Sequence, residues 1–507
     1  MRRNALGTSV VTACLAAGLM LAPGLPAAPL EAGTAKADIT DYQAGPVNDP
    51  SFVKALVMTD GSTSVVLITV DAVALGQIGR IGNGFVSAVR AGLRKELGIP
   101  PSSVIINASH CHAMVRSDIE QLTIDTVKEA WRKKVPARAG AGRGQENRIS
   151  ENRRLKMKDG SEVDVRRAYS MPRDEDVAGV GPIDPEIGLL RIDRSGDGKP
   201  LAVVYNFACH PIHGVPGGGT TADYPGFASK VIEENLGEGV LALFVQGSAG
   251  DINPTMYKEV HAPHDAEKYG NLLGLSAMRA LRTIRTREGG ELRVIREVVA
   301  MPRGADLERR MAAIGAEQAR LLKSLQGTSL NLKTFLALFL QQKLSGDFPA
   351  YYSQRYLHEK AIGRDDLSKL DAENRANVEQ YLRNVQTMEQ LTRLQTNLDL
   401  LRQHHAENVA AGHQTFDVDV VGWRVGEFRL IAFPGELTVE VGLNIKKRAP
   451  APLTFVAGYT NGYIYYTPTA EQRNNIGYAQ EDCDSMVAAE WQQVFESRAA
   501  AILEKLR

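Results

Sequence analysis

The stretch that most constrains this chain is Val104-Ile105-Ile106-Asn107-Ala108, which runs straight into Ser109-His110-Cys111-His112. Its first half is β-branched and apolar, as a buried strand requires. Side chains alternate across a strand, so a strand continued through the histidines puts His110 and His112 on one face and Cys111 on the other. A His-x-His taken alone suits a polar strand end as well as it suits a metal site.

The same arrangement recurs along the chain. The apolar run 64–70 ends in Asp71, and Phe85, Val86, Val89, Leu93 and Leu97 follow at helical spacing until Gly98 and Pro100 stop them. Strand, helix and strand form a crossover unit with parallel strands. The run 201–208 delivers Cys209-His210-Pro211, and the run 240–245 leads through Gln246-Gly247-Ser248-Ala249-Gly250 to Asp251. Gln246 stands where a Gly-x-Ser-x-Gly elbow needs its first glycine, which disfavours a serine hydrolase. The run 429–433 leads to Pro434-Gly435-Glu436, and the run 453–457 to a cluster of tyrosines from Tyr459 to Tyr466.

Asp71, His110, His210, Asp251, Glu436 and the tyrosines therefore all follow strand ends, the edge at which open α/β sheets bind ligands. The expected fold is α/β, with a mixed, largely parallel sheet flanked by helices. Imidazoles and a carboxylate from separate strands suit a catalytic zinc with a position left for water. The residues by themselves nominate His110, His112, His210 and Glu436 as ligands, with Asp71, Asp223 and Asp251 orienting them.

The rest of the chain sets the domain limits. Its 507 residues carry 59 Lys and Arg against 59 Asp and Glu, so no broad field attracts nucleic acid. Met1-Arg2-Arg3 and the apolar, small-residue run behind them have the pattern of an export signal, cleaved after Ala28 or Ala37. Residues 1–37 are read as leader, and the protein as exported to the periplasm or beyond. A lipid anchor at Cys14 is a weaker alternative. Residues 38–305 and 413–507 form the catalytic domain. Residues 306–412 form a helical insertion whose apolar hexad 335–340 suits buried core better than a lipid-entry surface, and the Arg- and Gly-rich stretch 128–186 suits a surface loop. Cys111, Cys209 and Cys483 are too sparse for a disulfide framework, although one bridge between Cys111 and Cys209 is open.

At the same positions the chain resembles the neutral, non-lysosomal ceramidases through their N-terminal catalytic domain. The resemblance is carried by Ser109-His110-Cys111-His112 (usually His-Thr-His in that family), by Asn206-Phe207-Ala208-Cys209-His210-Pro211 and by Gly250-Asp251-Ile252-Asn253-Pro254. Pro434-Gly435-Glu436 and the stretch from Asn461-Gly462-Tyr463 to Tyr466-Thr467 complete it. It implies one Zn²⁺ per chain held by His110, His210, Glu436 and Tyr466. It further implies that His112, Arg153 and Tyr478 surround the scissile amide of ceramide or a related lipid, with room for peripheral membrane contact.

Asn253 stands where the family often has serine, so a serine nucleophile there is excluded. The family's C-terminal immunoglobulin-like module is not expected. The alternatives are an ester or phosphoester hydrolase with a second metal on His112, His213 and Asp251, or a non-catalytic surface-binding protein of the same fold.

Overall fold

The structure, a computed structural model, describes residues 29–165, 171–257, 259, 261–350, 352–475 and 479–507. Two sheets occupy its centre. The larger has eight strands, in the order Leu241–Gln246, Pro200–Phe207, Glu186–Arg194, Val135–Gln145, Glu31–Asp38, Phe52–Thr59, Ser64–Val70 and Val104–Ala108. The smaller has four: Leu292–Pro302, Thr415–Val425, Phe428–Ala432 and Thr454–Ala457.

Strand alternation decides where each side chain goes. Leu56, Leu67, Ile105, Leu190, Val204 and Leu243 of the large sheet meet Trp423, Phe428, Leu430 and Phe455 of the small one in a shared core. The other face of the large sheet lies under the helices Phe85–Leu97 and Ile119–Arg132 on one half. On the other half it lies under Asp223–Leu236 and Ala266–Leu281. The helices Val439–Arg448 and Trp491–Lys505 cover the outside of the small sheet.

This is a mixed α/β architecture flanked by helices, as expected, but the large sheet is not largely parallel. Five of its seven pairings are antiparallel. A connection such as that between Phe52–Thr59 and Ser64–Val70 is far too short for a crossover.

Within the two central sheets parallel pairing occurs at three places, and each is a crossover through a helix. Ser64–Val70 pairs with Val104–Ala108, Pro200–Phe207 with Leu241–Gln246, and Phe428–Ala432 with Thr454–Ala457 in the small sheet. Each pair presents two C-terminal ends at one edge. Buried asparagines tie these edges together. Asn107 Nδ2 donates to Gly458 O and Thr460 Oγ1 while its Oδ1 accepts from Gln246 N. Asn206 Nδ2 reaches Val245 O and Val456 O.

Two stretches depart from the sequence reading. The leader reading falls outside the described residues for residues 1–28, but Glu31–Asp38 is a strand within the large sheet, paired along its length with Phe52–Thr59. Its small residues, Ala32, Gly33, Ala35 and Ala37, include those read as a processing site. A leader ending at residue 37 would remove the strand.

Val135–Gln145 is likewise no surface loop but a strand between Glu31–Asp38 and Glu186–Arg194. Its glycines permit close approach. A Cβ on Gly140 would lie 2.5 Å from Arg285 O, and one on Gly142 would lie 2.6 Å from the Ile284 side chain.

Residues 306–412 contain the helices Leu307–Ser324, Leu332–Leu344, Ser353–Ala361 and Asp366–Ala411. The last has 46 residues and ends at Gly412 with φ 65°, so it is about 69 Å long at 1.5 Å per residue. Leu307, Ile314 and Leu321 pack along it against Leu394, Leu398 and Leu401.

A chain started at Ile39 should express mainly as aggregate. It loses buried Leu30 and Ala32 and leaves two strands with open edges. A chain started at Pro29 should fold, and soluble yield with thermal unfolding of the two separates these outcomes.

Candidate metal centre

The three crossovers converge on one buried cluster. His110 follows Val104–Ala108, His210 follows Pro200–Phe207, and Glu436 follows Phe428–Ala432. One ligand-type atom from each lies within 4.8 Å of the others, and all three residues are buried. Among the described residues this is the one such group of three or more His, Cys, Asp or Glu.

The backbone fixes which ring nitrogen faces the cluster. His110 Nδ1 lies 2.6 Å from Val73 O and His210 Nδ1 lies 3.0 Å from Ile252 O. A carbonyl oxygen can only accept, so both Nδ1 atoms carry a proton, and each ring turns its Nε2 inward. His210 Nε2 lies 3.2 Å and His110 Nε2 3.6 Å from Glu436 Oε2.

Burial lowers His110 to about 4, with Glu436 opposing and His210 adding to the shift, so the ring is neutral near pH 7. Burial also opposes the charge of Glu436, but His110, His210 and the Tyr463 hydroxyl outweigh it and hold the carboxyl below its usual range. Tyr459 Oη donates to Oε2 at 3.1 Å, and Tyr463 Oη donates to Oε1. Two imidazole nitrogens and a carboxylate thus face one another out of water. That donor set fits a cation.

Tyr466 is the register partner of Glu436 in a short parallel ladder, Glu436–Leu437 with Tyr466–Thr467. It is buried, and the Arg153 guanidinium carbon sits 5.6 Å from its ring centre and couples to it.

The other nominated residues divide. His112 is exposed, with its ring 5.8 Å from that of His110, and lies outside the ligand group. The strand stops at Ala108 and His110 takes φ 68°, so the two-residue alternation that would have made His112 a fourth ligand does not operate. Positive φ also occurs at Tyr459, Asn461 and Tyr465 around the same site, where such conformations need support from their surroundings.

Arg153 is buried, and its donors serve the scaffold: Nε to Glu481 at 2.6 Å, Nη1 to Asn253 Oδ1 at 3.0 Å and Nη2 to Gly250 O at 2.6 Å. Tyr478 lies outside the described residues.

Asp251 accepts from Val439 N at 2.7 Å and from Asn152 Nδ2, which fixes the helix that begins just after Glu436. Asp71 accepts from Phe52 N and interacts with Ser109, the residue before His110. Asp223 binds Gly214 N and Tyr224 N, and these contacts do not reach a ligand. His213 packs on His264 and Tyr269, apart from Asp251, so a second metal on His112, His213 and Asp251 has no geometry here. Cys111 and Cys209 are free and buried.

Sequence reasoning missed Glu481 and the separate roles of Tyr459 and Tyr463. Only the density of tyrosines after a strand pointed to the latter.

No protein-family model and no curated protein matches the sequence. Solved structures do match. A neutral ceramidase from Pseudomonas aeruginosa superposes with TM-score 0.58 at 17% identity, covering 94% of this chain and 75% of that one. A ceramidase complexed with C2 does so with TM-score 0.58 at 16%, covering 94% and 76%. This chain has the neutral ceramidase fold. Within the ceramidase fold it sets a buried His-His-Glu group at the meeting point of three crossovers.

Two consequences can be measured. Glu481→Ala strands the buried Arg153 charge, so unfolding free energy should fall by about 3–5 kcal/mol in chemical denaturation. Asp223 is the second case, because burial raises its carboxyl from 3.8 to about 7 although Gly214 and Tyr224 N–H groups oppose the shift. A folded value above the unfolded one gives stability that is complete below pH 3.8 and fades as pH rises through about 7. Asp223→Asn should remove that portion of the pH dependence of the unfolding midpoint.

Proposed function

We propose that this chain is an exported, zinc-dependent amidohydrolase that cleaves the N-acyl bond of ceramide or a closely related lipid amide. The observation that carries the reading is the inward-facing donor set of His110, His210 and Glu436, found in a ceramidase fold with Tyr466 as its ladder neighbour. His110, His210, Glu436 and Tyr466 would hold Zn²⁺. When bound, the ion would supply a water of lowered pKa and polarise the amide carbonyl.

The chain's own groups account for the remainder. Val73 O and Ile252 O hold both imidazoles by Nδ1, so that Nε2 is the nitrogen turned toward the metal position. Tyr459 and Tyr463 fix the carboxylate of Glu436 by donating to both its oxygens. Arg153 holds Tyr466 in place and balances negative charge on its oxygen. His112, exposed beside His110, would meet substrate, donate to the oxygen that gains charge and pass a proton to the departing amine. Tyr478 shares that task. Water adds across the C–N bond, yielding a fatty acid and an amine.

Elemental analysis of the purified protein, with cleavage of a short fluorogenic N-acyl-sphingosine before and after chelation, tests the reading. One zinc per chain and chelator-sensitive cleavage are expected. His210→Ala should lose metal and activity together, whereas His112→Ala should keep the metal and lose about 10²–10⁴-fold in kcat. An absence of bound metal, or cleavage that survives chelation, would sink the proposal. Metal without cleavage would keep the site and move the substrate to another amide or an ester.

A further inference from the structure

The helix Leu332–Leu344 has an apolar face that none of the described residues covers. Phe335 is buried, stacked on Tyr381 of the long helix with ring centres 4.5 Å apart. Leu332, Leu336, Leu340 and Leu344 are 60%, 48%, 56% and 86% exposed. Four such side chains along 13 residues exceed the scattered leucines of an ordinary surface.

The exposed face carries positive charge and no negative charge. Lys333 and Lys343 are exposed among the leucines, and the helix has no Asp or Glu. The helices Leu332–Leu344 and Ser353–Ala361 together carry four Lys and Arg against one acid, Glu359. Tyr352, Leu357 and Ile362, on and beside the next helix, are also exposed, at 77%, 59% and 55%. Both helices pack against the N-terminal part of the long helix, so these features share one end of the insertion.

We propose that this leucine-lysine face docks the protein on an anionic lipid surface. Spacing and charge choose this occupant over a second copy of the chain. Leucines at strict four-residue intervals turn about 40° per step and spread into a broad face, whereas a two-helix seam alternates intervals of three and four. A two-fold pairing would also bring Lys333 and Lys343 against their own copies with no acid on the helix to answer them. At a bilayer the leucines enter the headgroup boundary while the lysine stems extend to lipid phosphates. Among the described residues no helix is long and apolar enough to cross a membrane, so the contact is peripheral. The inference rests on this helix and not on the amide chemistry.

Co-sedimentation of the full-length protein with vesicles tests it without any turnover. Wild type should pellet with mixed phosphatidylcholine and phosphatidylglycerol vesicles, less with phosphatidylcholine alone, and less as salt is raised. Leu336→Asp with Leu340→Asp should cut binding at least about tenfold, with circular dichroism and metal content unchanged, since both side chains already face solvent. Lys333→Glu with Lys343→Glu should abolish the preference for phosphatidylglycerol. Equal vesicle binding by the leucine double variant would overturn the proposal. So would a wild type that ignores vesicles, and a dimer in sedimentation velocity that this variant dissociates would assign the face to a second copy.

Discussion

Three ligand-type atoms pointed at one small volume are the constraint on which the rest of this structure depends. His110 Nε2 and His210 Nε2 both face Glu436 Oε2, at 3.6 and 3.2 Å. The two imidazoles are each held there by the backbone of a different loop. Val73 lies just past the first strand of one crossover, and Ile252 follows the second strand of another. The nitrogen turned inward is therefore set by chain topology. A parallel pair brings two strand ends to one edge, so the loop after one strand can buttress the ligand that follows the other.

Holding that arrangement out of water needs a rigid surround, which the polar interior supplies. Arg153 and Arg154 are buried beside Glu481 and Asp482, with Arg154 bidentate to Asp482 at 2.9 and 3.0 Å. Burying such ions costs several kcal/mol each, and their attraction largely offsets this, so the network contributes little net stability. What it contributes is placement. Through Asn253 and Gly250 it ties the turn after Leu241–Gln246 to the short helix Gln480–Cys483 that carries Glu481. Asn253, at a position where ceramidases often carry serine, is an acceptor for Arg153 and not a nucleophile. The helical insertion joins the same frame at its base. His404 Nε2 lies 2.9 Å from Asp484 Oδ1, and the Asp484 carbonyl accepts from Tyr466 N at 3.1 Å.

Position along the strands was legible in the sequence; environment was not. Apolar runs ending in His110, His210 and Glu436 located the three residues that the fold brings together, because burial of a strand and exit at its C-terminal edge are local properties. His112 was misjudged as a ligand on residue pattern alone. Alternation holds only while the backbone stays extended, and φ of 68° at His110 ends it. The resemblance to ceramidases separated His112 from the ligands for a reason the residues do not carry. The strands Glu31–Asp38 and Val135–Gln145 were hidden by Ala and Gly, which weaken the periodic signal where close packing demands small side chains. Glu481 could not be found at all, since its meaning comes from Arg153, 328 residues away.

The hexad 335–340 shows the same limit from the other side. A helix apolar on every face has no periodicity to say which side is inside. Its sequence fits core, and Phe335 does go inward against Tyr381. Yet a 13-residue helix lying on one neighbour can bury only the side that meets it. The leucines on the remaining side are surplus to folding. Replacing them with polar residues would cost the packed interior nothing and would remove a liability to aggregation. Their presence on an insertion braced at its base against Tyr466 is therefore better explained by an apolar partner than by the stability of the chain that carries them.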